Sequence, residues 1–207
     1  VTVYVDSMSI DSFKTSNART KLKEYAVLDD VDKMTTCEDM TGMVNALIGG
    51  FTVKSPDNGG SKPSDLERDA MLYNTWFLQQ LITCSSKINN KTTIVLPKGT
   101  FFFVSGHYYK AIGSTEVERH VIKPHDNVTV VGAGTEVDSR QTILKPYSEL
   151  SEFDGIVGGL DMFFFNDYSA YNQSIINAEG GGTYLHNNHY YDFIINSEET
   201  QGRVYNT

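Results

Sequence analysis

The sequence predicts a mainly β protein in which short strands stack in parallel as a solenoid, with one amphipathic helix ahead of them. Three observations carry that expectation. From about residue 92 onward, apolar runs of four or five residues recur between turn-forming Gly, Asn, Asp and Pro. No Asn-Gly or Asp-Gly pair joins neighbouring strong runs, so tight hairpins are not the linking device: Asn58-Gly59 precedes the helix, and Asp154-Gly155 lies between weak candidates. Only one long helical pattern is legible, which excludes a doubly wound sheet, where each parallel strand needs a helical crossover.

The elements follow in order. "VTVYV" alternates so that Val1, Val3 and Val5 share one face of a strand. In "TTCEDMTGMVNALIGG" Thr36 with Asp39 resembles a helix start. Met40, Met43, Val44, Leu47 and Ile48 then keep helical spacing, and Gly49-Gly50 stops it. "SPDNGGSKPSD" is a loop. Ser64-Asp65-Leu66-Glu67 reads as a capping box. Behind it Leu66, Ala70, Tyr73, Phe77, Leu81 and Cys84 form one stripe at spacings of three and four, with Trp76 and Leu78 beside it. Strands are expected in "TIVL" (93–96), "TFFFV" (100–104), "HVIK" (120–123), "NVTVV" (127–131), "QTILK" (141–145), "DMFFF" (161–165), "QSIIN" (173–177) and "YDFIIN" (191–196). Asn127, Asn177 and Asn196 near strand ends suit corners, since Asn tolerates left-handed backbone. The division expected is 1–58 as an N-terminal attachment segment, 59–91 as linker and capping helix, and 92–207 as stacked coils.

Phe101 to Phe103 are apolar on both faces of their strand. A first coil has an uncovered end, which a helix must close. One face would then fill the interior and the other would meet the cap, a flanking segment or another subunit.

Composition narrows the partners. The 207 residues carry 26 acidic and 17 basic side chains, a formal net charge of −9, with no dense Lys/Arg block. A duplex nucleic acid, which needs clustered cations, is not an expected partner. No stretch of 18 apolar residues exists, so no membrane partner is expected. Cys37 and Cys84 each fall in an expected helix among apolar neighbours. They read as two buried free thiols, a lone disulfide being unusual in so cysteine-poor a chain. Without a Cys-x-x-Cys pair no metal site is expected, and no cofactor.

"VLPKGTFFF" followed by "VIKPHDNVTVVGAGTEVDSRQTILKP" resembles the opening of right-handed parallel β-helix proteins of the pectate-lyase-like superfamily. The helix at 64–84 stands where that family places its cap. Within the superfamily the pattern is most similar to the N-terminal part of bacteriophage tailspikes and tail-fibre depolymerases. The resemblance implies a tail-associated protein that recognises a host cell-surface polysaccharide, located on the virion tail. It implies a homotrimer, and other tail or baseplate proteins held through residues 1–58. Polysaccharide degradation would then fall to a region downstream of Thr207, as a lyase or glycoside hydrolase, and not to this chain. Two rivals stand beside it: a free, secreted carbohydrate-active lyase or epimerase, and a purely structural tail component.

Candidate site residues cluster late. "HNNHYYD" brings His186, His189 and Asp192 together with Tyr190 and Tyr191. His189 and Asp192 suit an acid–base pair, and the two tyrosines suit stacking against sugar rings. The spacing matches no standard metal-ligand motif, so solvated turn residues are the plainer reading. Asp154, Asp161, Asp167 and Glu179 are scattered acids, of which Asp161 is the catalytic candidate; glycoside hydrolysis would need two carboxylates at a defined separation. In "VVGAGTE" the Gly-x-Gly has neither the third glycine nor the following helix of a dinucleotide fingerprint, and reads as a turn.

Overall fold

The computed structural model describes residues 1–20, 37, 44–54, 59–87, 91–104, 107–108, 117–118, 122, 124–135, 141–147 and 189–196. The strands expected at 161–165 and 173–177 lie outside them, as do Asp154, Asp161, Asp167, Glu179 and His186.

Strands β1 (Thr2–Tyr4) and β2 (Asp6–Ser9) lead into a short helix α1 (Ile10–Lys14), and β3 is Ala46–Gly49. The long helix α2 spans Asp65–Ser86. After it come β4 (Thr92–Val95), β5 (Gly99–Val104), β6 (His107–Tyr108), β7 (Val117–Glu118), β8 (Val128–Val131), β9 (Thr142–Tyr147), β10 (His189–Tyr191) and β11 (Ile194–Ile195). Sheet A has the order β1-β4-β8-β10 and is parallel throughout. Sheet B has the order β11-β9-β5-β3-β2 and is mixed, because β3 meets β5 antiparallel at the Gly49–Phe101 pair. The remaining two strands, β6 and β7, form an antiparallel pair of their own.

This is an α/β-type arrangement of two sheets and a helix, and it corrects the expected right-handed parallel β-helix with a terminal cap. Two features overturn that expectation. Sheet B is mixed rather than a uniform parallel stack. And α2 is not a cap with one wet face: every residue from Tyr73 to Ile82 is buried, including Asn74, Thr75, Gln79 and Gln80. A helix buried all round belongs to the interior of the fold. The likeness to the pectate-lyase-like superfamily is therefore one of local motif, not of architecture.

The start of α2 is as the sequence implies. Glu67 N–H donates to Ser64 Oγ, and Ser64 N–H donates to the Glu67 carboxylate at 2.7 Å, a reciprocal capping box. The segment before it differs. Leu47 and Ile48, expected in a helix, lie in β3 and are fully buried. A short apolar run fits either period, and pairing with β2 and β5 decides it here. The cysteines are also corrected: Cys37 and Cys84 form a disulfide, with Cα atoms 5.4 Å apart, inside the range such a bridge spans.

Two apolar clusters account for the phenylalanine run. Phe101 and Phe103 face the main core, with Tyr73, Trp76, Phe77, Ile94, Val130 and Leu144. Phe102 points to the other face of sheet B, against Val53, Met71 and Tyr147 with Phe51 alongside. A flanking segment and α2 together cover that second face, so both sides of β5 are dry.

Candidate functional site

Among the described residues, sheet A buries one face in the core, while its other face is half-buried at the centre and exposed at the edges. Along β4 and β8, Thr92, Ile94, Val128 and Val130 turn into the core, while Thr93, Val95, Thr129 and Val131 alternate outward. The parallel register then aligns residues from all four strands in rows. Thr2, Thr93, Thr129 and His189 form one outward row. Tyr4, Val95, Val131 and Tyr191 form the next. Tyr4 is 69% exposed and Tyr191 50%, so both rings stand in water at the two edges of the sheet. Parallel sheets are ordinarily covered on both faces. A parallel sheet with two large exposed aromatics on the outer face of its edge strands, and no described element packed on that face, is a candidate binding surface.

Spacing gives the surface its shape. Neighbouring strands lie roughly 4.8 Å apart, so Tyr4 and Tyr191 are roughly 14 Å apart across three strand intervals. The side chains between them are short valines. The outer face thus carries a row of two valines with a tyrosine at each edge, and a hydroxyl row beside it. Among the described residues, Thr2, Thr93 and Thr129 make no side-chain hydrogen bond within the protein.

The Tyr191 end is fixed by backbone contacts. Gly132 N–H donates to the Tyr191 carbonyl at 3.0 Å, and Gly134 N–H to the Asp192 carbonyl at 3.0 Å. Asp192 itself has φ 58°, a left-handed corner that turns the chain from β10 into β11. A Cβ on Gly132 would collide with the Asp192 carbonyl oxygen, so glycine is required there for close approach. The Gly-x-Gly of "VVGAGTE" thus works as a turn that seats the β10–β11 corner.

Of the residues singled out in the sequence, His189 and Tyr191 reach the outer face, each at the edge strand of the sheet. Asp192 is exposed beside them at the corner. Tyr190 alternates inward and packs on the main core, where burial holds its hydroxyl well above the usual tyrosine range. Asp161 lies outside the described residues. Among the described residues, no three His, Cys, Asp or Glu side chains converge as metal ligands would. Also among the described residues, no helix is long and apolar enough to cross a membrane. Sequence reasoning missed Tyr4, Thr93 and Thr129. The alternation of each run was legible, but the register that aligns residues 2, 93, 129 and 189 was not.

No protein-family model, curated protein or solved structure matches the chain. The chemistry of this face therefore stands on its own geometry.

Proposed function

We propose that the protein is an attachment protein that recognises a cell-surface polysaccharide through the outer face of sheet A. The observation that carries this is the aligned row Tyr4–Val95–Val131–Tyr191, flanked by the Thr2–Thr93–Thr129 hydroxyls. A sugar ring offers a C–H face that lies on an aromatic ring, and edge hydroxyls that exchange hydrogen bonds with side-chain hydroxyls. This face supplies both kinds of partner side by side. In this reading the setting is a bacterial-virus tail, the host-surface polysaccharide is the partner, and the assembly is a homotrimer that holds other tail proteins through residues 1–58.

Calorimetric titration of the intact protein with a panel of bacterial capsular and wall polysaccharides tests the binding. Saturable binding that Tyr191→Ala weakens and Tyr191→Phe retains supports the reading. Binding that survives Tyr4→Ala, Tyr191→Ala and the double change would show that the glycan sits elsewhere. Light scattering of the intact protein reads the trimer separately, and a monomer at micromolar concentration would overturn that part.

A further inference from the structure

The same face holds more information than the class of its ligand. The two tyrosines lie on a line perpendicular to the strands, because register places Tyr4 and Tyr191 in one row of sheet A. The hydroxyl row Thr2–Thr93–Thr129 runs parallel to that line, two residues back along each strand. Two residues of strand amount to roughly 6.6 Å, so the paired rows form a strip about one sugar chain wide. A ligand that uses both tyrosines must run across the strands and reach roughly 14 Å, which a single sugar does not do.

Charge narrows the ligand further. The eight residues of the two rows carry no carboxylate, ammonium or guanidinium, and their one titratable nitrogen base is His189 at the edge. The whole chain carries a formal net charge of −9, and the exposed Asp192 stands next to Tyr191. A polysaccharide bearing uronate or phosphate groups would find no cation among these eight residues to offset the desolvation of its acid groups. An uncharged chain meets no such cost.

We infer that the ligand is an uncharged linear polysaccharide that lies across the four strands of sheet A and stacks on Tyr4 and Tyr191 together. The inference rests on the glycan-binding reading and specifies the charge, length and direction of the chain.

The test uses the full chain and calorimetry. Its probes are oligosaccharide ladders, from the monosaccharide upward, cut from neutral bacterial glucans, and a matching ladder of oligogalacturonates. The neutral ladder should bind with affinity that rises steeply at one length and then levels. The dissociation constant should be the same at low and high salt. Tyr4→Ala and Tyr191→Ala should each weaken the long oligomers by about tenfold, the effect of losing one stacking partner. The two changes should be coupled for long oligomers and uncoupled for short ones. Both side chains are exposed, and circular dichroism of each variant checks that the fold is kept. Preference for the galacturonate ladder, lost at high salt, would overturn the inference and leave glycan binding intact. So would neutral binding that ignores length and responds to only one tyrosine. Absence of binding by every ladder would overturn the glycan reading itself, and this inference with it.

Discussion

Asn74 shows how much one side chain can decide. Its amide oxygen accepts from Ile48 N–H at 2.6 Å, and its amide nitrogen donates to the carbonyls of Ile48 and Phe102, both at 2.9 Å. The ladder between β3 and β5 has the single pair Gly49–Phe101, and the Asn74 side chain adds hydrogen bonds to both strands beyond it. Asn74→Leu should leave one N–H and two carbonyls buried without partners. At ~1–3 kcal/mol for each such group, the loss should exceed about 3 kcal/mol in urea denaturation. A loss under about 1 kcal/mol would show that water reaches the strand end. Two buried tyrosines make a separate, pH-dependent prediction. Burial pushes the Tyr73 and Tyr190 hydroxyls well above the usual tyrosine range, so each stays protonated in the fold after the unfolded chain has begun to ionise. Their contribution is fully present below the unfolded tyrosine pKa of about 10 and declines above it. Stability should therefore be level through neutral pH and then fall, by up to about 1.4 kcal/mol per pH unit for each tyrosine. Tyr73→Phe should flatten that alkaline slope while removing the 2.6 Å hydrogen bond to Val44 O. An unchanged slope in the variant would remove Tyr73 as its source.

Among the elements, α2 was the most legible and the disulfide at its end the least. The capping box and the three–four spacing locate the helix from local pattern alone, since both act within a few residues. The strands β4, β5, β8 and β9 were equally plain, because each is a short apolar run bounded by turn residues. β3 was not, since "ALIG" is too short for its period to choose between helix and strand. Nor does sequence show which faces of a helix end up buried. Thr75, Gln79 and Gln80 look like a wet face until packing covers them. Pairing of Cys37 with Cys84 is likewise invisible locally, because 47 residues separate them and only the fold brings them together. That separation makes the bridge consequential. Closing a loop of this length in the unfolded chain is worth about 4 kcal/mol by the chain-entropy relation. Protein purified without reductant should titrate no free thiol in denaturant. Reduction should lower its stability by roughly that amount. Two free thiols in air-exposed protein would show that the bridge does not form.

At the scale of the whole molecule, the two sheets share strands from both ends of the described chain, and this bears on how its parts depend on one another. β1 pairs with β4 in sheet A, and β2 pairs with β3 in sheet B. Val1 N donates to Lys91 O at 2.8 Å, and Thr93 N–H returns to Val1 O at 2.8 Å. Val5 and Phe13 sit in the same core as Ile94, Val130 and Leu144. Removing residues 1–9 would strip the edge strand from each sheet at once. It would leave the β4 backbone unpaired along one side, a template for association with another chain. Loss of Val5 burial alone is worth roughly 1.5–3 kcal/mol, before the lost ladder hydrogen bonds are counted. With total stabilities commonly about 5–15 kcal/mol, the shortened chain should melt well below the full one and aggregate on heating. It should also lose glycan affinity, because Tyr4 goes with the deleted strand. The Tyr4→Ala variant separates these two effects: it should lose affinity and keep the melting temperature. A shortened chain that melts where the full chain does would show that residues 1–9 are held on the sheets without supporting them. The N-terminal segment would then be free to serve attachment alone.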